Sequence, residues 1–329
     1  HSCHASTILE LENGDLLCSW YSRPPESGYY DAKIYFARKP PGGPWTTPVI
    51  IAESRGNNDT WDPVLFQPRG GDIICFYRCP DFDSGEVITS GDGGFTWSSS
   101  QPLPDGIVGP TKNKPVQLDN GTIISGSNTW SPSFVHVEIS LDNARTWSKI
   151  GLIEDIENQA MHPAILVHSQ TCLQLLMRTC RIDDDTKISQ TWSYDAGLTW
   201  EPITDNPLPN NHSSFDCVTL TDGRHLLVYN HSTRNEPGTG HKGRGIMNVA
   251  VSTDGINWEA ALVLDYNEDT AGYSYPAVIQ GRDGRVHITY TWNRKRIKYV
   301  VIDPGTLVTY PIIDGEWPKD KIPWIESVE

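Results

Sequence analysis

Two repeats of different length run through this chain together, and few folds satisfy both. The shorter is Ser90-Gly-Asp92-Gly-Gly94-Phe-Thr-Trp97, which returns as Ser140-Leu-Asp142-Asn-Ala-Arg-Thr-Trp147 and as Ser193-Tyr-Asp195-Ala-Gly197-Leu-Thr-Trp200. A version one residue shorter is Ser252-Thr-Asp254-Gly-Ile-Asn-Trp258, and a decayed copy ends at Trp45. The tryptophans therefore stand 50 to 58 residues apart. The second repeat is strand, turn, strand: apolar or alternating runs flank Asn13-Gly14, Gly70-Gly71, Asn120-Gly121, a less clear turn between Ser169 and Leu176, Asp222-Gly223 and Asp283-Gly284. Runs of this kind around Gly, Asn and Asp are the short-range hairpin signal. Six copies, each with room for about four short strands, predict an all-β chain: one six-bladed β-propeller domain over residues 1–329, with radial closure limiting exposed sheet edges.

Composition agrees. Tyr, Trp and Phe (13, 12 and 7) and Gly and Pro (28 and 24) are plentiful, as strands and frequent turns require. The formal net charge of −15 argues against nucleic acid as a partner, since that affinity comes from neutralising phosphates. It leaves room for a small anion held by a local cluster of cations. No apolar run approaches the roughly 18–20 residues of a membrane span, so a soluble protein, and a monomer, is expected. The seven cysteines lack zinc-finger spacing and are expected to be small buried hydrophobes. Sequons at Asn58, Asn120, Asn211 and Asn230 lean toward secretion.

If the repeats align in space, their equivalent positions converge on the central axis. Four copies place a polar residue before a proline at the start of the first strand: Asp62-Pro63, Lys114-Pro115, His162-Pro163 and Tyr275-Pro276. The fifth offers Asp216-Cys217, and the first offers His4 ahead of Ala5. A ring of His4, Asp62, Lys114, His162, Asp216 and Tyr275 is the expected ligand face.

The short motif resembles the Asp box of the sialidase superfamily, in which these boxes lie away from the active face. The resemblance implies that Asp92, Asp142, Asp195 and Asp254 are structural. It also implies that Arg178, ending Leu176-Met177-Arg178, and Arg244 in Gly243-Arg244-Gly245 match the second and third arginines of a carboxylate-binding triad. His4 in Cys3-His4-Ala5-Ser6 stands where the first arginine belongs. Gly272-Tyr273-Ser274-Tyr275 resembles the segment carrying the nucleophilic tyrosine; Tyr275 fits best and Tyr273 is the runner-up. His162 falls at the position of the tyrosine's assisting glutamate, and Glu26 or Asp31 at that of the acid/base.

The expected activity is an exo-acting glycosidase on an acidic sugar. Arg178 and Arg244, with His4, Lys112 or Lys114, would hold the anion. Tyr275 would act as nucleophile or as stabiliser of an oxocarbenium-like transition state. His162 or Asp216 would serve as its base, and Asp31 or Glu26 as the acid, with Asp62 a further carboxylate in the ring. A uronate lyase, with Tyr275 or His162 removing a proton, is the alternative, and a non-catalytic sugar-binding propeller is the third. No metal or cofactor is expected.

Overall fold

The computed structural model describes residues 2–23, 31–53, 59–79, 85–129, 134–153, 159–181, 185–270 and 272–325. The hairpin repeats become six antiparallel sheets in a ring, a six-bladed β-propeller. Helix among the described residues is limited to the 3-10 turns His241–Gly243 and Pro304–Thr306. The innermost strands are His4–Glu10, Trp61–Phe66, Val116–Gln117, Met161–Val167, Asp216–Thr219 and Tyr273–Gln280. The first of these packs against both the second and the sixth, which closes the ring.

Blades 1 to 4 have four strands each, whereas blade 5 has five and blade 6 three. The difference arises after blade 6, where the chain doubles back: Tyr310–Pro311 pairs with the Trp258–Tyr266 strand of blade 5.

Each Asp box builds the same tight turn. In blade 3 the Asp142 carboxylate accepts the Thr146 backbone N–H at 2.8 Å and the Thr146 hydroxyl at 2.6 Å, while the Ser140 hydroxyl donates to it at 3.0 Å. The carboxyls of Asp92, Asp195 and Asp254 are bound in the same way. The box tryptophan then packs on the preceding blade. Trp97 meets Phe36 with ring centroids 5.5 Å apart, and Trp147 meets Phe76 at 6.0 Å. Trp45 of the decayed copy meets Tyr299 of blade 6 at 5.2 Å, so the same device spans the seam between first and last blades.

None of the seven cysteines is in a disulfide; Cys18, Cys75, Cys79 and Cys217 are buried, and Cys3, Cys172 and Cys180 partly so. Two sequons are closed to modification in the folded state. The Asn211 amide is buried and donates to Gly243 O, and that of Asn230 is buried and donates to Tyr273 O. Asn120 is exposed, and Asn58 lies outside the described residues.

Candidate active site

The inner strands of blades 1, 2, 4 and 6 share one irregularity. Their pairing register slips between His4 and Thr7, Trp61 and Val64, Met161 and Ala164, and Ser274 and Ala277. Inside each slip one residue has a left-handed backbone: Ala5 (φ 52°), Asp62 (45°), His162 (54°) and Tyr275 (54°). A bulge of this kind re-aims a side chain out of the sheet. Because Pro63, Pro163 and Pro276 follow, the amide that a bulge leaves unpaired is in each case already absent. Left-handed non-glycine residues cost on the order of 1–3 kcal/mol each and persist only where their surroundings hold them. Here side-chain amides do so: His162 N donates to Asn128 Oδ1 at 3.0 Å, and Asn113 Nδ2 donates to His162 O at 2.8 Å.

His4, His162, Arg178 and Arg244 meet around Tyr275. The His4 ring lies 4.1 Å from it, centroid to centroid, and the His162 ring 5.7 Å in an edge arrangement. Arg178 donates to the Tyr275 hydroxyl oxygen at 2.5 Å, and the Arg178 and Arg244 guanidinium carbons lie 5.9 and 5.8 Å from the ring centroid. Asp62 is 3.9 Å from His162 Nε2. Two glycines let Arg244 reach this position. A side chain on Gly243 (φ 69°) would lie 2.3 Å from Thr233 O, and one on Gly272 (φ 117°) would lie 2.5 Å from Arg244 Cβ.

Beneath Tyr275, blade 3 braces its segment across the axis. Lys112 Nζ donates to Pro276 O at 2.5 Å, and Lys114 Nζ holds both Asp216 oxygens at 2.9 and 3.0 Å. Asp216 in turn accepts Val278 N at 2.9 Å. Both lysines thus set the backbone on which Tyr275 stands.

Electrostatics follow from burial. His4 and His162 are held well below the usual histidine range, first by burial and then by nearby cations, so both are neutral near pH 7. Burial pushes the Asp62 carboxyl up, with Lys112, Arg178, Arg78 and Arg294 opposing. Burial brings Lys112 down from 10.5 to about 8 against the pull of Asp216 and Asp62. Asp62 and the Lys114-bound Asp216 therefore sit among a surplus of cations, in a chain whose net charge is −15.

Of the residues expected from sequence, His4, Asp62, His162, Arg178, Arg244 and Tyr275 come together in this cluster. Tyr273 lies elsewhere: its ring is buried in the core between blades 5 and 6, 6.5 Å from Tyr290. Asp216 is committed to Lys114 and backbone N–H groups, which makes it a brace. The Asp31 side chain is 46 % exposed, 3.9 Å from Lys33, and Glu26 lies outside the described residues. In blade 1 the left-handed position falls on Ala5, one residue after His4.

Sequence reasoning missed Tyr21, Arg78, Arg294, His212 and Arg234. The first two had a signal. Tyr21, Arg78 and Arg178 pair with His4, Trp61 and Met161 at the same place in the second strands of blades 1, 2 and 4. Arg294 acts on Tyr21, Asp62 and Arg244, while Arg234 contacts His212 Nδ1 at 2.8 Å. Among the described residues no group of three or more His, Cys, Asp or Glu is placed to hold a metal.

The ring is a six-bladed β-propeller closed by Asp-box tryptophans, with Tyr275 between two arginines at its axis. The chain belongs to the BNR repeat-like domain family, whose model matches residues 14–288. Comparison with curated proteins returns no match.

Among solved structures, a protein of unknown function from Dyadobacter fermentans is similar at 19% identity and TM-score 0.72, over 91% of this chain and 93% of that one. The intramolecular trans-sialidase of Ruminococcus gnavus is similar at 13% identity and TM-score 0.68, over 93% and 95%. The α-L-arabinanase of Penicillium chrysogenum is similar at 14% and 0.65, over 93% and 95%. At such identities the likeness is one of fold, and that fold carries glycoside hydrolases among its neighbours.

Proposed function

We propose that this protein is an exo-acting glycoside hydrolase whose substrate ends in an acidic sugar. One observation carries the reading: Arg178 and Arg244 flank the Tyr275 ring, with Arg78, Arg294 and Lys112 around the buried carboxyl of Asp62. The fold alone does not select a sugar, since its neighbours include a sialidase-type enzyme and an arabinanase. The charge does. A guanidinium fork suits a carboxylate, and buried cations favour an anion far more than a neutral ring.

In this reading Arg178 and Arg244 hold the substrate carboxylate. As the Tyr275 oxygen attacks the anomeric carbon its proton passes to neutral His162, whose ring meets it edge-on, and the Arg178 N–H stabilises the oxygen as it becomes anionic; water then cleaves the sugar from Tyr275 and returns its proton to the phenol oxygen. Asp62, raised by burial, gives its proton to the departing glycosidic oxygen as the C–O bond breaks, which favours it over the exposed Asp31. Neutral His162, 3.9 Å away, is placed to pass protons to and from Asp62. Asp62→Asn should then slow hydrolysis by roughly 10²–10⁴-fold on sugars with poor leaving groups and far less on aryl glycosides, which need little protonation.

The neutrality of His4 and His162 also favours a second reading, a uronate lyase in which one of them or Tyr275 removes a proton beside the carboxylate. Products from a panel of sialosides and glucuronate-containing oligosaccharides decide between the two. A saturated free acidic sugar supports the hydrolase. An unsaturated product absorbing in the near ultraviolet replaces it with the lyase, and preference for neutral glycans overturns the acidic-sugar reading.

A further inference from the structure

His212 is pinned between the two arginines that flank Tyr275. Asn210 Oδ1 accepts the N–H of Thr179, the residue after Arg178, at 3.2 Å and that of His212 at 3.0 Å. Asn211 Nδ2 donates at 2.6 Å to the carbonyl of Gly243, the residue before Arg244, and the Ser232 hydroxyl donates to the same oxygen at 2.6 Å. The backbone at His212 is left-handed (φ 66°). Such a backbone persists where its surroundings hold it, and here they place one imidazole beside the clamp.

Arg234 contacts His212 Nδ1 at 2.8 Å. A guanidinium only donates, so Nδ1 is the acceptor and the ring proton sits on Nε2. Burial first, and then the charges of Arg178, Arg234, Arg244 and Lys242, bring the imidazole down to about 4, so it is neutral at pH 7. The pair is left with donors alone to offer: the His212 Nε2–H and the remaining N–H groups of Arg234. Among the described residues no carboxylate stands at ion-pair distance from Arg178, Arg234, Lys242 or Arg244. Of the carboxylates near these groups, Glu236 accepts Thr233 N at 3.2 Å, Glu268 lies beside Gly238, and Asp62 is 3.9 Å from His162 Nε2.

We infer that His212 and Arg234, with the exposed Lys242, form a second anion site beside the Arg178–Arg244 clamp, taking a sulfate ester or a second carboxylate of the same glycan. A single carboxylate has two oxygens, and the forks of Arg178 and Arg244 already satisfy it. Two further cations and an imidazole fixed as a donor are surplus to that task. Sulfate and carboxylate are charged and present acceptors only, which is what such a set of donors satisfies. A neutral hydroxyl would leave the charges of Arg234 and Lys242 without a counter-charge, and an ammonium would be repelled. The inference rests on the acidic-sugar reading and narrows the substrate to a glycan with two acidic groups.

The test is calorimetry on the full chain with two matched pairs of ligands. One pair is glucuronyl-N-acetylgalactosamine with and without a sulfate ester; the other is digalacturonate with both carboxylates free and with one methyl-esterified. The second acid should tighten binding to the wild type about tenfold or more in one pair, and the pair that responds names the group. That advantage should vanish in Arg234→Gln and in His212→Phe, and persist in Arg244→Ala, where both members of the pair bind more weakly. Ring-nitrogen NMR should find the His212 proton on Nε2, and a proton on Nδ1 overturns the assignment. So does a second acid that adds nothing in either pair, or an advantage that survives in either variant. In those cases the acidic-sugar reading stands if the singly charged ligands bind and weaken in Arg244→Ala. If no acid binds the wild type, that reading falls and the second site with it.

Discussion

The Tyr275 oxygen accepts a guanidinium N–H at 2.5 Å while a second arginine lies 5.8 Å from the ring, and this pairing sets the most direct test. Arg244→Ala should lower kcat/KM on an acidic glycan by about 30- to 1,000-fold, the range for a lost charge-assisted contact (~2–4 kcal/mol), and Arg244→Lys should recover only part of it. Tyr275→Phe keeps the ring and removes the hydroxyl, so kcat should fall by roughly a hundredfold or more while substrate binding changes little. Steady-state kinetics of the three variants side by side check both claims, and unchanged kinetics in the arginine variants would sink the anion clamp. Lys112 supplies a pH signature. Its pKa falls from 10.5 in the unfolded chain to about 8 in the fold, so between those values the unfolded chain holds the proton and the native chain does not. Lys112 therefore disfavours the folded state below about pH 8, and this penalty fades as pH rises toward 10.5. Above about pH 8 the loss of its charge should weaken anion binding, and Lys112→Met should flatten that limb of the kcat/KM profile. His4, Asp62, His162 and Tyr275 were legible in the sequence because each occupies a repeated position, and Arg178 and Arg244 through the resemblance to the sialidase arginines. Arg294 and Arg234 were not, because they sit on loops that break the repeat.

A bulge at an inner-strand start and an Asp box at the far end of a blade are the two elements this sequence reuses, and they were unequally legible. The box was plain, since its carboxylate binds a backbone N–H and a side-chain donor at the same place in every copy, a Thr hydroxyl in three and the Asn257 amide in the fourth. Those bonds hold the Asp142 carboxyl down at about 2, the Thr146 hydroxyl first and its backbone N–H next. At Asp254 burial opposes, but bonds from Asn257 and the backbone prevail and the value is again about 2. A depressed carboxyl contributes stability above its unfolded value of 3.8 and loses it as pH falls through the folded value. The melting-temperature gap between wild type and Asp142→Asn should therefore be full at pH 5 and shrink toward pH 2; a gap independent of pH would contradict the bonding pattern. The bulge was half legible. The X-Pro dipeptides marked it, but nothing in them reveals that Asp62, His162 and Tyr275 turn left-handed, because that depends on partners such as Asn113 and Asn128 in another blade. Lys114 misled for the same reason. It precedes a proline like the others, yet its ammonium reaches Asp216 and becomes a brace.

At the scale of the whole ring, blade number and order were legible from repeat spacing, whereas the return of the chain to blade 5 was not, since residues 303–325 repeat nothing. A propeller built from one chain has one seam where its first and last blades meet. Here the seam is held at the axis by Thr291, whose hydroxyl oxygen accepts Ala5 N at 3.2 Å and meets His4 Nδ1 at 2.9 Å. At the periphery it is held by Trp45 on Tyr299, beside a small cluster of Cys18, Trp20 and Ala37 with Ile297. Every other interface joins blades that are already linked by a short connection, so separating them gains little chain freedom. The seam lacks such a link, and opening it frees both ends of the ring. Trp45→Ala and Trp147→Ala remove the same half-buried side chain from equivalent places, each at about 3 kcal/mol, the low end for large aromatic truncations. Their local consequences should differ. Hydrogen exchange in Trp45→Ala should quicken in the Arg296–Ile302 and Lys33–Lys39 strands on both sides of the seam, by far more than in the strands flanking residue 147 of Trp147→Ala. Equal and evenly spread acceleration in both variants would mean that the seam is no weaker than any other interface. Faster exchange confined to the seam, with the funnel strands still protected, would identify Trp45 as the latch that closes the ring.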